Sequence, residues 1–197
     1  MEQSLPVVKQ SARQGLADSV FGTRNLMMVA ALAVVGLIIL VPLNYLAPAV
    51  GASPNAVWIG CALLGLWVIP YLLPAAVVRR PGATLLASLI VGIISVFITP
   101  VGPMAIVGNV LGGLFIEVPL ALMLYRFWTW WAYMIAASVF GLLNGLMYLL
   151  LLKTAVGLSV SLPVVVTGVA SSILGALAVV GITRLLHRAG VGMDHRA

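Results

Sequence analysis

Glu117 is the residue whose type and setting carry the most chemistry in this chain. It is the only acidic side chain between Asp18 and Asp194, and it stands inside the apolar run from Met104 to Tyr125. A charged side chain at membrane depth costs about 2.5–3.5 kcal/mol on insertion scales, so it faces a protein interior or an aqueous cavity and meets a partner. No basic residue lies at comparable depth, which makes a bound ligand one source of compensation. The alternatives are a protonated carboxyl satisfied by another helix and a structural pairing with an arginine. Gly113 precedes Glu117 by four residues on the same helical face, and Asn109 lies about 80° away at ~100° per residue, which leaves open space beside the carboxylate. Asn144 and Tyr148 share the face of a later helix, as Trp67 and Tyr71 share that of an earlier one. A carboxylate floor under aromatic walls suits a flat cationic or amine-bearing ring, stacked on its faces and hydrogen-bonded at its edge. Packing competes for Trp67 and Tyr71, and helix-to-helix hydrogen bonding competes for Asn109, Asn144, Ser88, Ser95, Ser171 and Ser172.

The elements that must hold these residues are transmembrane helices. The chain has 197 residues, of which 63% are hydrophobic and 7% charged, with mean hydropathy +1.22. That leaves too little polar surface to coat a soluble globule. Charged residues divide the chain into apolar segments at 25–78, 81–125 (interrupted only by Glu117), 127–152 and 154–183. At about 20 residues per span, these read as two, two, one and one helices. Pro48, Gly51, Ser53, Pro54 and Asn55 separate a first helix over 26–46 from a second over 56–78, and Thr99, Pro100, Gly102 and Pro103 separate a third over 83–98 from the fourth. The third is short and holds Ser88, Gly92 and Ser95, which packs it inside the bundle rather than fully facing lipid. The fold class is all-α, a polytopic six-helix membrane bundle.

Basic residues orient it. Lys9, Arg13, Arg24, Arg79, Arg80, Arg126, Arg184, Arg188 and Arg196 fall on one side, and only Lys153 falls on the other. The positive-inside rule then puts both termini in the cytoplasm. This gives a cytoplasmic N-terminal tail over 1–25, a transmembrane domain over 26–187 and a cytoplasmic C-terminal tail over 188–197. Residues 5–21 have the composition of an amphipathic surface helix, and the tail is too long for a signal peptide. Trp58 on the outer side, and Trp128, Trp130, Trp131 and Tyr133 beside Arg126, read as interfacial belts. Measured from Trp130 at 1.5 Å per residue, Asn144 and Tyr148 stand about 21 and 27 Å up, in the outer half, with Glu117 near the middle. The net charge of +6 is thereby explained by topology, without nucleic acid.

Enzyme chemistry lacks parts. His187 and His195 lie near the C-terminus, Glu117 has no second carboxylate beside it, and Cys61 is the only cysteine, so acid pairs, metal clusters and Ser-His-Asp arrangements do not assemble. Nor is there a phosphate-binding loop, so ATP hydrolysis would fall to partner subunits. No cofactor is expected.

Gly65-Leu66-Trp67, then Arg79-Arg80-Pro81-Gly82-Ala83, then Gly102-Pro103-Met104 leading to Glu117, resembles the YkoE family of substrate-binding S components of energy-coupling factor (ECF) vitamin transporters. The resemblance covers roughly 65–126, with six-helix topology throughout. It implies a high-affinity subunit in a prokaryotic plasma membrane that captures thiamine or its hydroxymethylpyrimidine precursor from outside. Its implied partners are a transmembrane coupling subunit and two ATPase subunits. It also implies that Glu117 meets the aminopyrimidine or the positive ring, and that Trp67 and the Gly102-Pro103-Met104 turn lie near the cavity. Two positions depart from the pattern. Ser88 and Ser95 stand where thiamine-associated members carry acids, and the small-residue face of the first helix is Ala30, Ala33 and Gly36 rather than A-x-x-x-A. A secondary transporter using Glu117 for proton coupling, and a membrane scaffold, are the other functional classes open to such a chain.

Overall fold

A computed structural model describes residues 19–50, 56–156 and 162–190. Six helices run through them: α1 Thr23–Val50, α2 Ala56–Val78, α3 Ala83–Ile98, α4 Met104–Leu122, α5 Trp130–Val156 and α6 Leu162–Arg188. All but α3 are long and apolar enough to cross a membrane. Several boundaries differ from the sequence reading. The first helix starts at Thr23 and continues through Pro48 to Val50, the fourth stops at Leu122, and the fifth and sixth, Trp130–Val156 and Leu162–Arg188, are offset from the apolar segments 127–152 and 154–183. The N-terminal surface-helix reading, His195 and Arg196 fall outside the described residues.

α2 is the central element. Its membrane window is 67% buried, against 33–44% for the other four spans, and α1, α3, α4, α5 and α6 all pack on it. Two prolines, Pro70 and Pro74, interrupt its hydrogen-bond ladder, each removing one donor and loosening the helix locally. The neighbours follow through small residues. Gly36 on α1 faces Pro70, whose Cβ lies 2.8 Å from where a Cβ on Gly36 would stand. On the other side Gly65 meets Ser171 and Gly175 of α6 at backbone distance. There the Gly65 N–H donates to Ser171 Oγ at 2.9 Å, and the same hydroxyl donates to the Ala62 carbonyl. Ser171 therefore joins helices as polar groups do in membranes.

α3 is one-sided rather than wholly internal. Ala83, Thr84, Ala87, Ser88, Val91, Gly92 and Ser95 are buried along one stripe, while Leu89, Ile93 and Phe97 on the other face are exposed. Its 16 residues span about 24 Å at 1.5 Å each, less than the hydrocarbon thickness of about 30 Å. Its small residues admit α4 closely, with Gly92 against Ile106 and Gly113 against Ser88. Every described arginine falls at one end of the bundle: in the first turn of α1, after α2, after α4 and in the last turns of α6.

Candidate functional site

A cavity of about 250 Å³ opens among α1, α2, α4 and α5, in the half of the bundle away from the arginines. Trp67, Tyr71, Phe140 and Tyr148 supply aromatic walls, and Asn44, Asn109 and Asn144 supply amides. Tyr71 is 4% exposed and anchors the floor. Its ring packs on Gly112, 3.0 Å from where a Cβ would stand, and lies 6.0 Å from the Phe140 ring. Its hydroxyl donates to Asn109 Oδ1 at 2.8 Å, and Asn109 Nδ2 donates to the Ala105 carbonyl at 2.7 Å. Tyr71 and Asn109 are therefore a closed pair, both buried and both satisfied. Asn144 is different. Its Nδ2 donates to the Phe140 carbonyl at 2.9 Å, but its Oδ1, the Asn44 amide and the Tyr148 hydroxyl have no hydrogen-bond partner among the described residues. Those free groups are the ones able to read a ligand's edge. Gly108 also lines the cavity, with open space where a Cβ would stand.

Six of the eight residues singled out from sequence meet here: Trp67, Tyr71, Met104, Asn109, Asn144 and Tyr148. Glu117 and Gly113 lie outside the lining. Gly112 is the last cavity residue on α4, and Glu117 comes five residues later, about 7.5 Å further along the axis. Gly113 is held against Ser88 by the α3–α4 crossing.

Glu117 is compensated by backbone. Its Oε1 accepts the Gly82 N–H at 2.7 Å and its Oε2 accepts the Thr84 N–H at 3.2 Å. Gly82 is the N-terminal cap residue of α3, in the left-handed region at φ 84°, and has no side chain to cap with. The first N–H groups of a helix need acceptors and favour negative charge; Glu117 on α4 supplies both. It is 3% exposed, near the arginine-rich end rather than at mid-membrane. Tyr125 brings its phenol beside the carboxylate. The turn that carries it there holds Leu124 and Tyr125 at φ 53°, a strained conformation for residues other than glycine. The Tyr125 ring then stacks on Trp128 with centroids 6.0 Å apart.

Residues 24–143 match the family model described as "ABC-type cobalt transport system, permease component". The chain belongs to that family. It is a multi-pass membrane protein. A solved structure described as an S-component of an ECF transporter superposes with TM-score 0.74, over 86% of this chain and 87% of that one, at 19% identity. The chain therefore has the S-component membrane fold. No curated protein matches it.

Sequence reasoning passed over Asn44, Leu64 and Phe140 in the cavity. Asn44 was the one readable signal, a lone amide in an apolar helix. Leu64 and Phe140 are indistinguishable from core residues until the fold brings them together. The Glu117 environment also predicts a pH response. Burial, then the hydrogen bond to and the negative charge of Glu117, push the Tyr125 phenol from its ordinary value near 10 up to about 12. A raised folded value favours the neutral form, so its contribution is complete below pH 10 and is lost as pH rises from 10 to about 12. Melting of the parent protein and of Tyr125→Phe across that window is expected to show a smaller alkaline loss in the variant. Equal losses would detach Tyr125 from Glu117.

Proposed function

We propose that this chain is the substrate-binding S component of an ECF-type importer, and that it captures thiamine or its hydroxymethylpyrimidine precursor. The observation that supports this most is the cavity itself, an aromatic slot edged by unpartnered amide and phenol groups. A flat heteroaromatic ring would stack on Trp67 and offer its amino and ring-nitrogen edge to Asn144, Asn44 and Tyr148. Among the described residues the lining carries no formal charge, which favours the neutral aminopyrimidine over the permanently cationic ring.

The family's description refers to cobalt, and a bare divalent ion is a poorer fit. The cavity offers amides, phenols and an indole, but no imidazole, carboxylate or thiolate. Among the described residues no three His, Cys, Asp or Glu side chains cluster. Both oxygens of Glu117 are engaged by backbone donors, which weighs against using it to couple protons. By the positive-inside rule the arginine-rich end is cytoplasmic and the cavity belongs to the outer half. Capture would thus occur outside, with energy for release supplied by a coupling subunit and two ATPases.

Titration of the purified protein with hydroxymethylpyrimidine, thiamine and cobalt(II) tests the substrate. The aminopyrimidine is expected to bind, and Trp67→Ala to weaken it by about 1–3 kcal/mol, roughly 5- to 150-fold. Gly108→Leu, which fills open space rather than meeting a neighbour, is expected to abolish binding while leaving the melting temperature nearly unchanged. A folded protein that binds cobalt but neither organic compound would sink the substrate assignment. Uptake into liposomes without ATPase partners would sink the S-component role.

A further inference from the structure

A second cavity, about 340 Å³, lies at the opposite end of the bundle from the first. It is cationic: Arg79 from the end of α2 and Arg184 and Arg188 from the last turns of α6 converge on it, with no carboxylate in its lining. Glu117 is the one acid among the described residues, and it is engaged with Gly82 and Thr84. Three further polar groups line the cavity. Thr183 Oγ1 and His187 Nε2 are buried atoms without a hydrogen-bond partner among the described residues, the Tyr133 hydroxyl lies beside the Arg79 guanidinium, and Tyr133 and Thr183 are only 4% and 6% exposed. Buried polar atoms are ordinarily satisfied. Convergent guanidinium groups beside such atoms form a site suited to an anion.

We propose that this cavity binds a phosphate group, and that in the membrane the group belongs to an anionic phospholipid. Guanidinium forks match phosphate oxygens, and basic pockets between transmembrane helices at one bilayer face receive lipid headgroups. The depth also fits, because Trp128 and Trp130 line the same cavity and tryptophan marks the headgroup level. An acyl chain has a track to follow. Leu177, Gly181, Arg184 and Arg188 succeed one another at spacings of four, three and four on one exposed face of α6. Gly181 leaves open space, and Leu177 is 51% exposed.

The full chain in nanodiscs provides the test, with native mass spectrometry of retained lipid and the melting temperature as readouts. Phosphatidylglycerol mixed into phosphatidylcholine is expected to be retained and to raise the melting temperature over phosphatidylcholine alone. Arg184→Gln with Arg188→Gln is expected to cut that retention about tenfold, and Tyr133→Phe about threefold. Arg126→Gln, basic but outside the cavity, should leave it unchanged. Inorganic phosphate added to phosphatidylcholine nanodiscs separates the sources. Protection by phosphate that phosphatidylglycerol does not exceed would keep the phosphate site and overturn the lipid as its occupant. Retention in both cavity variants equal to the parent's, or no response to either anion, would overturn the site.

Discussion

Glu117→Ala is expected to lower the melting temperature by about 10 °C while leaving ligand affinity within about threefold. The carboxylate accepts the N–H groups of Gly82 and Thr84, and removing it strands both at a buried helix start. Each orphaned donor costs about 1–3 kcal/mol, with charge-assisted bonds at the upper end. At roughly 2–4 °C per kcal/mol for a chain of this size, the two together give the stated shift. Glu117→Gln retains an acceptor but introduces a donor facing backbone N–H groups, so it should fall between alanine and the parent. The affinity readout carries the functional content. Glu117 lies about 7.5 Å along α4 from the last cavity residue, so a tenfold loss of binding in a folded variant would return the carboxylate to the ligand. A melting temperature unchanged in Glu117→Ala would show that α3 does not depend on it.

That result bears on what the sequence could disclose. Its apolar segments and turn residues were sufficient for six helices, because a bilayer forces backbone groups to be satisfied within each span. Face-sharing pairs such as Trp67 with Tyr71 and Asn144 with Tyr148 were legible for the same reason, since helical periodicity alone places them. Glu117 was not, because the donors that hold its two oxygens at the start of α3 are backbone N–H groups. Arg79-Arg80-Pro81-Gly82-Ala83 begins a helix without Ser, Thr, Asp or Asn at its start, and such a start needs an acceptor from elsewhere. A missing cap on one helix and an unpaired carboxylate on the next are complementary signals, and recognising them required only asking where the first N–H groups of α3 go. The phosphate cavity had no comparable trace. Arg79 and Arg184 are far apart in sequence, and each reads alone as a topology determinant; only the packing of α2, α5 and α6 turns them toward common space.

Gly65→Leu is expected to yield no folded protein, and Gly65→Ala to cost at least about 3 kcal/mol. α2 and α6 form the most extensive helix pair, and they touch where both are reduced to backbone. A Cβ at Gly65 would overlap the Ser171 carbonyl oxygen and stand 2.9 Å from its carbon, while a Cβ at Gly175 would stand 2.8 Å from the Gly65 carbonyl carbon. Backbone cannot swing aside as a side-chain tip can, so even one methyl must separate the helices. Overpacking costs about 1–3 kcal/mol when side chains can adjust. Here separation also stretches the bond from Gly65 N–H to Ser171 Oγ, whose alternative partners in lipid are few. Gly181 on α6 is the control, being helical with nothing within 4 Å of its would-be Cβ. Gly181→Ala should be neutral or stabilise by about 0.5–1 kcal/mol, the usual difference between the two residues within a helix. Melting the pair in parallel isolates contact from propensity. If Gly65→Ala melted with Gly181→Ala, the α2–α6 seam would have to be looser than its geometry, and the position of Trp67, two residues beyond Gly65 on the cavity wall, would need another support.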